Sequence, residues 1–207
     1  MIVGLSSKII NRLTLYHNIL VDYVDKGVEN ISSPQIASLL KIDDSQVRKD
    51  IKFLNNAGVC KIGYCVADLK KSIEKALGFK KKKKAFIAGA GNLGFALAKY
   101  TNFAVYGFEI LALFDNDPLK IDLSVNGKKV FHISKLPELK KNLKLDIAIL
   151  TVPRKFAQET VKLITTSGIK YIWNFTPCVL DTPSDIKILN ENLVGKFIQF
   201  TINPNMV

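Results

Sequence analysis

The chain has 207 residues, enough for one large domain or two small ones, and its 48% hydrophobic content supports packed cores and excludes global disorder. Thirty Lys and Arg stand against 18 Asp and Glu, a formal net charge of +12, so polyanions are the expected partners, nucleic acid before an anionic membrane surface. The excess is front-loaded, +8 over residues 1–84 (16 basic, 8 acidic) and +4 over the remaining 123 (14 and 10), and no apolar run reaches the roughly 20 residues of a membrane span.

Met1-Ile2-Val3-Gly4-Leu5 is too short an apolar stretch for a signal peptide. Residues 8–25 put Ile9, Leu13, Tyr16, Leu20, Tyr23 and Val24 at helical spacing, and Lys26-Gly27 turns the chain. Ser32-Ser33-Pro34 reads as a helix start, a hydroxyl cap and then a proline whose missing N–H is not needed there; Ile36, Ala37, Leu39 and Leu40 are expected inward. After the turn 41–44, Asp44 is expected to cap a helix from about Ser45 to Asn56, ended by Gly58. It buries Val47, Ile51 and Leu54 and exposes Ser45, Gln46, Arg48, Lys49 and Lys52. Val59–Val66 predicts a hairpin or wing with Gly63 near its tip, and residues 67–78 a helix closed by Gly78. The run Lys80–Lys84 marks a domain boundary, a solvated linker end or alternatively a phosphate clamp.

Beyond it, apolar strands alternate with helices, the pattern of a buried parallel sheet. Strands are predicted at Ala85–Ala88, Phe108–Phe114, Lys129–His132, Asp146–Leu150 and Tyr171–Asn174, and helices at 92–101, 135–142, 154–166 and 191–202. The fold class is α/β: a winged helix-turn-helix domain (1–79), a basic linker (80–84), a Rossmann-like domain (85–190) and a C-terminal helix and tail (191–207).

Two surfaces carry chemistry. In the helix-turn-helix, Gln46 and Arg48 suit base edges and Lys49 and Lys52 suit phosphates; Ser45 shares their DNA-binding face, and Lys61 stands on the wing, which would reach a neighbouring groove or the backbone. In the second domain, Gly89-Ala90-Gly91-Asn92-Leu93-Gly94 is a GxGxxG that follows a predicted strand and opens a predicted helix. A further strand ends in Asp115, 21 residues after Gly94. Gly89 permits the tight turn, Gly91 lets a pyrophosphate approach the backbone, Gly94 lets helix and strand pack, and the helix N-terminus offers N–H groups to phosphates. Asp115 suits ribose hydroxyls and repels a 2′-phosphate, which favours NADH and NAD over their phosphorylated forms; Lys120 offsets this slightly. Thr151-Val152-Pro153 and Asn174-Phe175-Thr176-Pro177 follow strands at the carboxyl edge of the sheet and either line the nicotinamide end or are plain turns.

An enzyme is not expected. Only His17 and His132 offer an imidazole, and no residues remain for a substrate domain. Cys60, Cys65 and Cys178 make neither a disulfide framework nor a metal site. The rival reading is a Rossmann-class enzyme, or a nucleotide- or coenzyme A-binding protein, with an incidental basic front.

The motifs Gln46-Val47-Arg48-Lys49-Asp50, Gly63-Tyr64, the glycine loop, Phe114-Asp115, Leu150-Thr151-Val152-Pro153 and Asn174-Phe175-Thr176-Pro177, in this order, resemble those of the Rex redox-sensing transcriptional repressors. The resemblance implies a homodimer that exchanges its last helix, binds a palindromic operator and releases it on binding NADH, with NAD bound more weakly; a cytoplasmic location is expected separately, from the sparse, odd set of cysteines. Tyr100 matches a tyrosine of the family's polar relay. The family's relay arginine and aspartate are replaced by Asn18 and Asn192. The usual Arg-Gly-x-Gly-Tyr wing reads Cys60-Lys61-Ile62-Gly63-Tyr64, and the usual Phe-Gly after the recognition helix reads Leu54-Asn55.

Overall fold

A computed structural model describes residues 5–54, 58–59 and 62–202. It divides into two compact units, residues 1–81 and 82–207.

The first unit is helical. α1 (Ser7–Asp25) starts at Ser6, whose hydroxyl accepts the Ile9 N–H. β1 (Asn30–Ile31) leads into α2 (Ser33–Leu40), closed at its start by a reciprocal capping box between Ser32 and Gln35. The buried arc of α2 is Ser33, Ile36, Ala37 and the half-buried Leu40; Leu39 falls outside it and is 54% exposed, against expectation. α3 (Asp44–Lys52) is capped by Asp43, one residue before the expected Asp44. The Asp43 carboxylate accepts the Ser45 N–H at 2.8 Å, so Asp44 enters the first turn, where a negative charge suits the helix dipole. α3 also stops at Lys52, short of the expected Asn56, in a turn where the Leu54 N–H donates to the Ile51 carbonyl. Gly58 therefore does not end it; Asn55 lies outside the described residues.

β2 (Tyr64–Cys65) pairs antiparallel with β1, and Val59 bridges Gly63, so the chain does turn back as a wing there. Cys60 and Lys61 lie outside the described residues. α4 (Val66–Leu77) ends at Gly78 in the left-handed conformation, as expected. Leu13, Tyr16 and Leu20 of α1 meet Ile36, Val47, Ile51, Leu69 and Ile73 in one core.

The second unit is built on a seven-stranded sheet. Its strands are β3 (Lys83–Ala88), β4 (Phe108–Asp115), β5 (Ser124–Val125), β6 (Lys128–His132), β7 (Ile147–Leu150), β8 (Tyr171–Asn174) and β9 (Lys187–Asn190), in the order β5-β6-β4-β3-β7-β8-β9. Every pairing is parallel except the β5–β6 hairpin. β3 starts two residues earlier than expected, so Lys83 and Lys84 are strand residues paired with Phe108 and Glu109. β5 and β9 are additions to the predicted set.

α5 (Asn92–Lys99) covers one face of the sheet, where Ala85, Ile87, Ala98, Ile110 and Ile149 pack together. α6 (Leu136–Leu143) and α7 (Arg154–Thr166) cover the other, with Phe86, Phe114, Leu136, Leu150 and Val161. α5 ends two residues before the expected 101, because Tyr100 leaves the helical region and a 3₁₀ segment, Thr101–Tyr106, follows. α8 (Leu193–Ile202) buries none of its residues. From β3 the chain winds outward through β4 and β6, then returns to the other side of β3 with β7. The carboxyl ends of β3 and β7 therefore form the switch point at which open α/β sheets bind ligands.

Candidate functional site

On α3, Ser45, Arg48, Lys49 and Lys52 are exposed, as the periodicity requires. Arg48 lies across Asp44 one turn back, Nη1 to Oδ2 at 2.8 Å; with both groups well exposed this pair is weak and leaves the guanidinium available. Gln46 differs from expectation. It is half-buried, and its side-chain amide donates to Asp50 Oδ1 at 2.9 Å, so one N–H is spent inside the unit and the second N–H and the carbonyl oxygen remain for an outside partner.

Asp50 was not singled out by sequence and is the electrostatic centre of this unit. It is fully buried. Arg12 of α1 grips it with two bonds, Nε to Oδ2 at 2.6 Å and Nη2 to Oδ1 at 2.8 Å, and the Tyr16 hydroxyl donates to Oδ2 at 2.9 Å. Burial alone raises a carboxyl pKa; here the bonds from Arg12, Tyr16 and Gln46 outweigh it and hold Asp50 below the usual carboxylate range. Burial and the Asp50 charge together push the Tyr16 phenol up. The network fixes α3 against α1, so the basic face of α3 is presented by a rigid mount. Its sequence signal was an acid at position i+3 from Val47 on the apolar side of α3, with an arginine one turn before Tyr16 on α1.

In the second unit a cavity of about 550 Å³, within the range of small-molecule sites, opens at the switch point. Gly89, Gly91, Asp115, Thr151 and Pro153 line it, with Asp117, Lys120, Ile133, Val152, Phe156, Glu159 and Leu163 among the other walls. The three glycines do different work. Gly89 sits at φ +109, and a Cβ there would meet the Thr151 carbonyl carbon at 2.9 Å. Gly94 is buried, and a Cβ there would collide with the Gly89 carbonyl oxygen at 2.1 Å, so helix and loop close only without one. At Gly91 a Cβ would meet nothing within 4 Å, and its backbone is extended at φ −89. The fold does not require a glycine at 91; an incoming group that must reach the backbone does. Gly91 caps α5 with no side-chain hydrogen bond, which leaves the first-turn amides of Asn92 and Leu93 without partners inside the helix.

Ala90 does not belong to the cradle wall. It is fully buried, and its N–H donates to Asp115 Oδ2 at 2.7 Å. Asp115 also accepts the Asp117 N–H at 2.9 Å on Oδ1 and the Lys120 ammonium at 3.3 Å on Oδ2. Burial opposes ionisation of Asp115, but those two N–H groups and Lys120 hold it below the usual carboxylate range. A charged acid with room for a further donor on Oδ1 thus faces the cavity. Thr151 locks the floor, its hydroxyl donating to the Gly89 carbonyl at 2.8 Å.

Other expected positions lie elsewhere. Tyr100 is off the cavity wall and packs edge-on against Phe103 at 4.9 Å between ring centres. Asn174 is buried at the end of β8, where its side chain accepts the Thr176 N–H and donates to Asn190 Oδ1, and none of residues 174–177 lines the cavity. Asn18 is exposed on α1, and Asn192 caps α8 by accepting the Gly195 N–H at 2.8 Å. His17 is buried with Nε2 3.1 Å from Glu74, and His132 ends β6 beside Ser134. No helix among the described residues is long and apolar enough to cross a membrane.

Residues 4–51 match a family model described as a putative DNA-binding protein N-terminus, and residues 80–178 match the CoA binding domain. The chain is 38% identical to the redox-sensing transcriptional repressor Rex of Desulfitobacterium hafniense, over 93% of this chain and 91% of that one. Among solved structures it is similar to RSP in complex with beta-NAD+ and operator DNA (TM-score 0.85, 32% identity, 97% of this chain and 94% of that chain). It is also similar to RSP in complex with beta-NADH (TM-score 0.82, 32% identity, 99% and 97%). With its helix-turn-helix, its glycine loop at the sheet's switch point and this similarity over nearly its whole length, the chain belongs to the Rex family of redox-sensing transcriptional repressors.

Proposed function

We propose that the chain binds operator DNA through α3 and the wing and binds NADH or NAD at the glycine loop, and that NADH releases the DNA. The observation that carries the reading is Gly91, a glycine on the wall of the cavity of about 550 Å³ where the fold leaves open space for a side chain. The pyrophosphate sits over Gly91 and the amides of Asn92 and Leu93. Gly89 and Gly94 shape the turn, Ala90 braces Asp115, and Asp115 meets the adenosine ribose. Thr151 and Pro153 wall the cavity next to β7, with Tyr100 beyond the end of α5. Ser45, Arg48, Lys49, Lys52 and Lys61 face DNA, with the carbonyl oxygen and second amide N–H of Gln46 beside them. Residues 1–79 serve as reader, 80–82 as the linker that remains once Lys83 and Lys84 join β3, 83–190 as sensor and 191–207 as dimer helix and tail.

The partner in dimerisation is a second copy. The exposed apolar residues of α8, such as Phe197 at 66% and Phe200 at 65%, support this, and a two-fold dimer reads a palindrome. The cytoplasm, where DNA and the nicotinamide pool meet, is its place of work. Moving a 1:99 equilibrium to 99:1 takes about 5.5 kcal/mol of differential affinity, which two ligands per dimer share.

The match of residues 80–178 to the CoA binding domain favours one rival ligand, coenzyme A. NADH fluorescence titrated with the full chain, with coenzyme A as competitor, separates the two. Saturable NADH binding that coenzyme A does not displace is expected; displacement by coenzyme A at lower concentration than by NAD would overturn the assignment.

A further inference from the structure

The root of α8 is held by a carboxylate. Glu191 stands between β9 and α8. Its Oε1 accepts the indole N–H of Trp173 at 3.0 Å, and its Oε2 accepts the Lys196 ammonium at 2.7 Å. Its backbone N–H donates to the Asn174 carbonyl at 2.8 Å, which extends the β8–β9 ladder by one bond. The next residue, Asn192, caps the helix. Beyond this root α8 has no buried residue. Within one chain α8 has no packing along its length, so these contacts set the direction in which it leaves the sheet toward the second copy.

The two bonds of Glu191 are unequal. Lys196 is 67% exposed, so water and salt screen that pair, whereas the Glu191 side chain is 15% exposed and its bond to the half-buried Trp173 is sheltered. Trp173 is the only tryptophan of the chain. Its ring packs on Phe175 at 4.9 Å and on Phe103 at 5.9 Å, and Phe103 packs on Tyr100 at 4.9 Å. Tyr100 terminates α5, the helix that the glycine loop opens. A continuous row of packed rings therefore runs from the far end of α5 to the indole N–H. A hydrogen bond is directional, so a shift of Phe103 that turns Trp173 obliges Glu191 to follow or to lose its partner.

We propose that Glu191 is a positioning residue for the nucleotide response: through Trp173 it ties the exit of α8 to the ring row at the end of α5. This rests on the reading that nucleotide binding releases operator DNA. Nucleotide at the glycine loop moves α5, the rings transmit the movement, and Glu191 redirects α8. Lys196 supports the carboxylate from solvent and adds little.

The test uses the full chain and a fluorescent inverted-repeat duplex selected from a random pool against the wild type. Operator affinity is measured by anisotropy without nucleotide and at saturating NADH, and the ratio of the two is the readout. E191A and W173F are each expected to cut the wild-type ratio about fivefold or more, the lower edge of common allosteric couplings, with unliganded operator affinity within about twofold of wild type. The E191A/W173F double variant is expected to lose no more than either single one, because both remove the same bond. E191Q keeps an acceptor for Trp173 and is expected to retain the ratio, as is K196A. Ratios within about twofold of wild type for E191A and W173F, losses that multiply in the double variant, or no rescue in E191Q would each overturn the proposal while leaving the repressor reading intact. A wild type whose operator affinity ignores NADH would overturn the repressor reading, and this coupling with it.

Discussion

The two units treat their polar groups in opposite ways. Around α3, donors and acceptors are turned inward: Arg12, Tyr16 and Gln46 all satisfy Asp50, and the surface is left with flexible Lys and Arg. Around the glycine loop, the backbone amides at the start of α5 have no partner inside the helix, and a glycine stands on the cavity wall where the fold has room for a side chain. The first arrangement suits a polyanion met as a surface, where charges adapt and the mount must not move. The second suits a compact ligand met as a shape, where the amides must already be aimed before it arrives. Rigidity is placed behind the basic surface in one unit and in the cavity wall itself in the other.

The largest expected effect breaks the first half of this contrast. Asp50→Ala leaves Arg12 and Tyr16 facing a void where a charge was, and loss of one partner of a buried ion pair costs about 3 kcal/mol or more. Urea unfolding of the full chain checks it. Far-UV circular dichroism is expected to show an early step as the helical unit melts, while emission from Trp173, which lies in the other unit, holds its wild-type midpoint. The same residue sets a pH dependence. Its folded pKa is depressed, so its contribution is present above the unfolded value of about 3.9 and is lost as pH falls through the folded one. Stability of the first unit is expected to drop steeply below about pH 4 in the wild type and to be flatter in Asp50→Asn.

The second half is sharpened by two glycines that look alike in sequence. Gly91→Ala meets no protein atom and keeps an ordinary backbone, so the melting temperature is expected to stay level or rise slightly, while NADH affinity falls about tenfold or more. Gly94→Ala collides with the Gly89 carbonyl and is expected to lower both. Equal melting losses in the two variants would mean that Gly91 serves the fold and not a ligand.

The smallest effect concerns the adaptable surface. Lys49→Ala removes one exposed cation from α3. It is expected to weaken operator binding uniformly across sequences and to reduce the slope of log affinity against log salt by about 1. A change in sequence preference with an unaltered slope would assign Lys49 to a base edge.

Much of this organisation was legible from periodicity and glycine spacing. The helix start at Ser32-Ser33-Pro34, the left-handed stop at Gly78 and the strand–glycine loop–helix unit all follow from local rules that tertiary context did not overrule. The β5–β6 hairpin is also written locally, as Asn126-Gly127 with both residues at positive φ; β6 is expected from its apolar pattern, while the two-residue β5 is too brief to announce itself. β9 was not legible: Lys187–Asn190 is an edge strand whose pairing to β8 depends on contacts that four residues do not announce. The inward turn of Gln46 and the burial of Asp50 were hidden for a different reason. They depend on Arg12, 38 residues from Asp50 along the chain, and a charge on a helix face reads as solvated until its partner is placed. The Ala90 N–H of the glycine loop likewise takes a partner far along the chain, Asp115, which the loop motif alone does not announce.

The measurement that bears most directly on the account is operator release. The full chain, bound to its selected inverted-repeat duplex, is titrated with NADH and, in parallel, with NAD, and anisotropy reports the bound fraction. The account predicts that NADH frees the duplex at concentrations where NAD leaves it bound, and that Gly91→Ala blunts the NADH response. Retention of the duplex through millimolar NADH would contradict it.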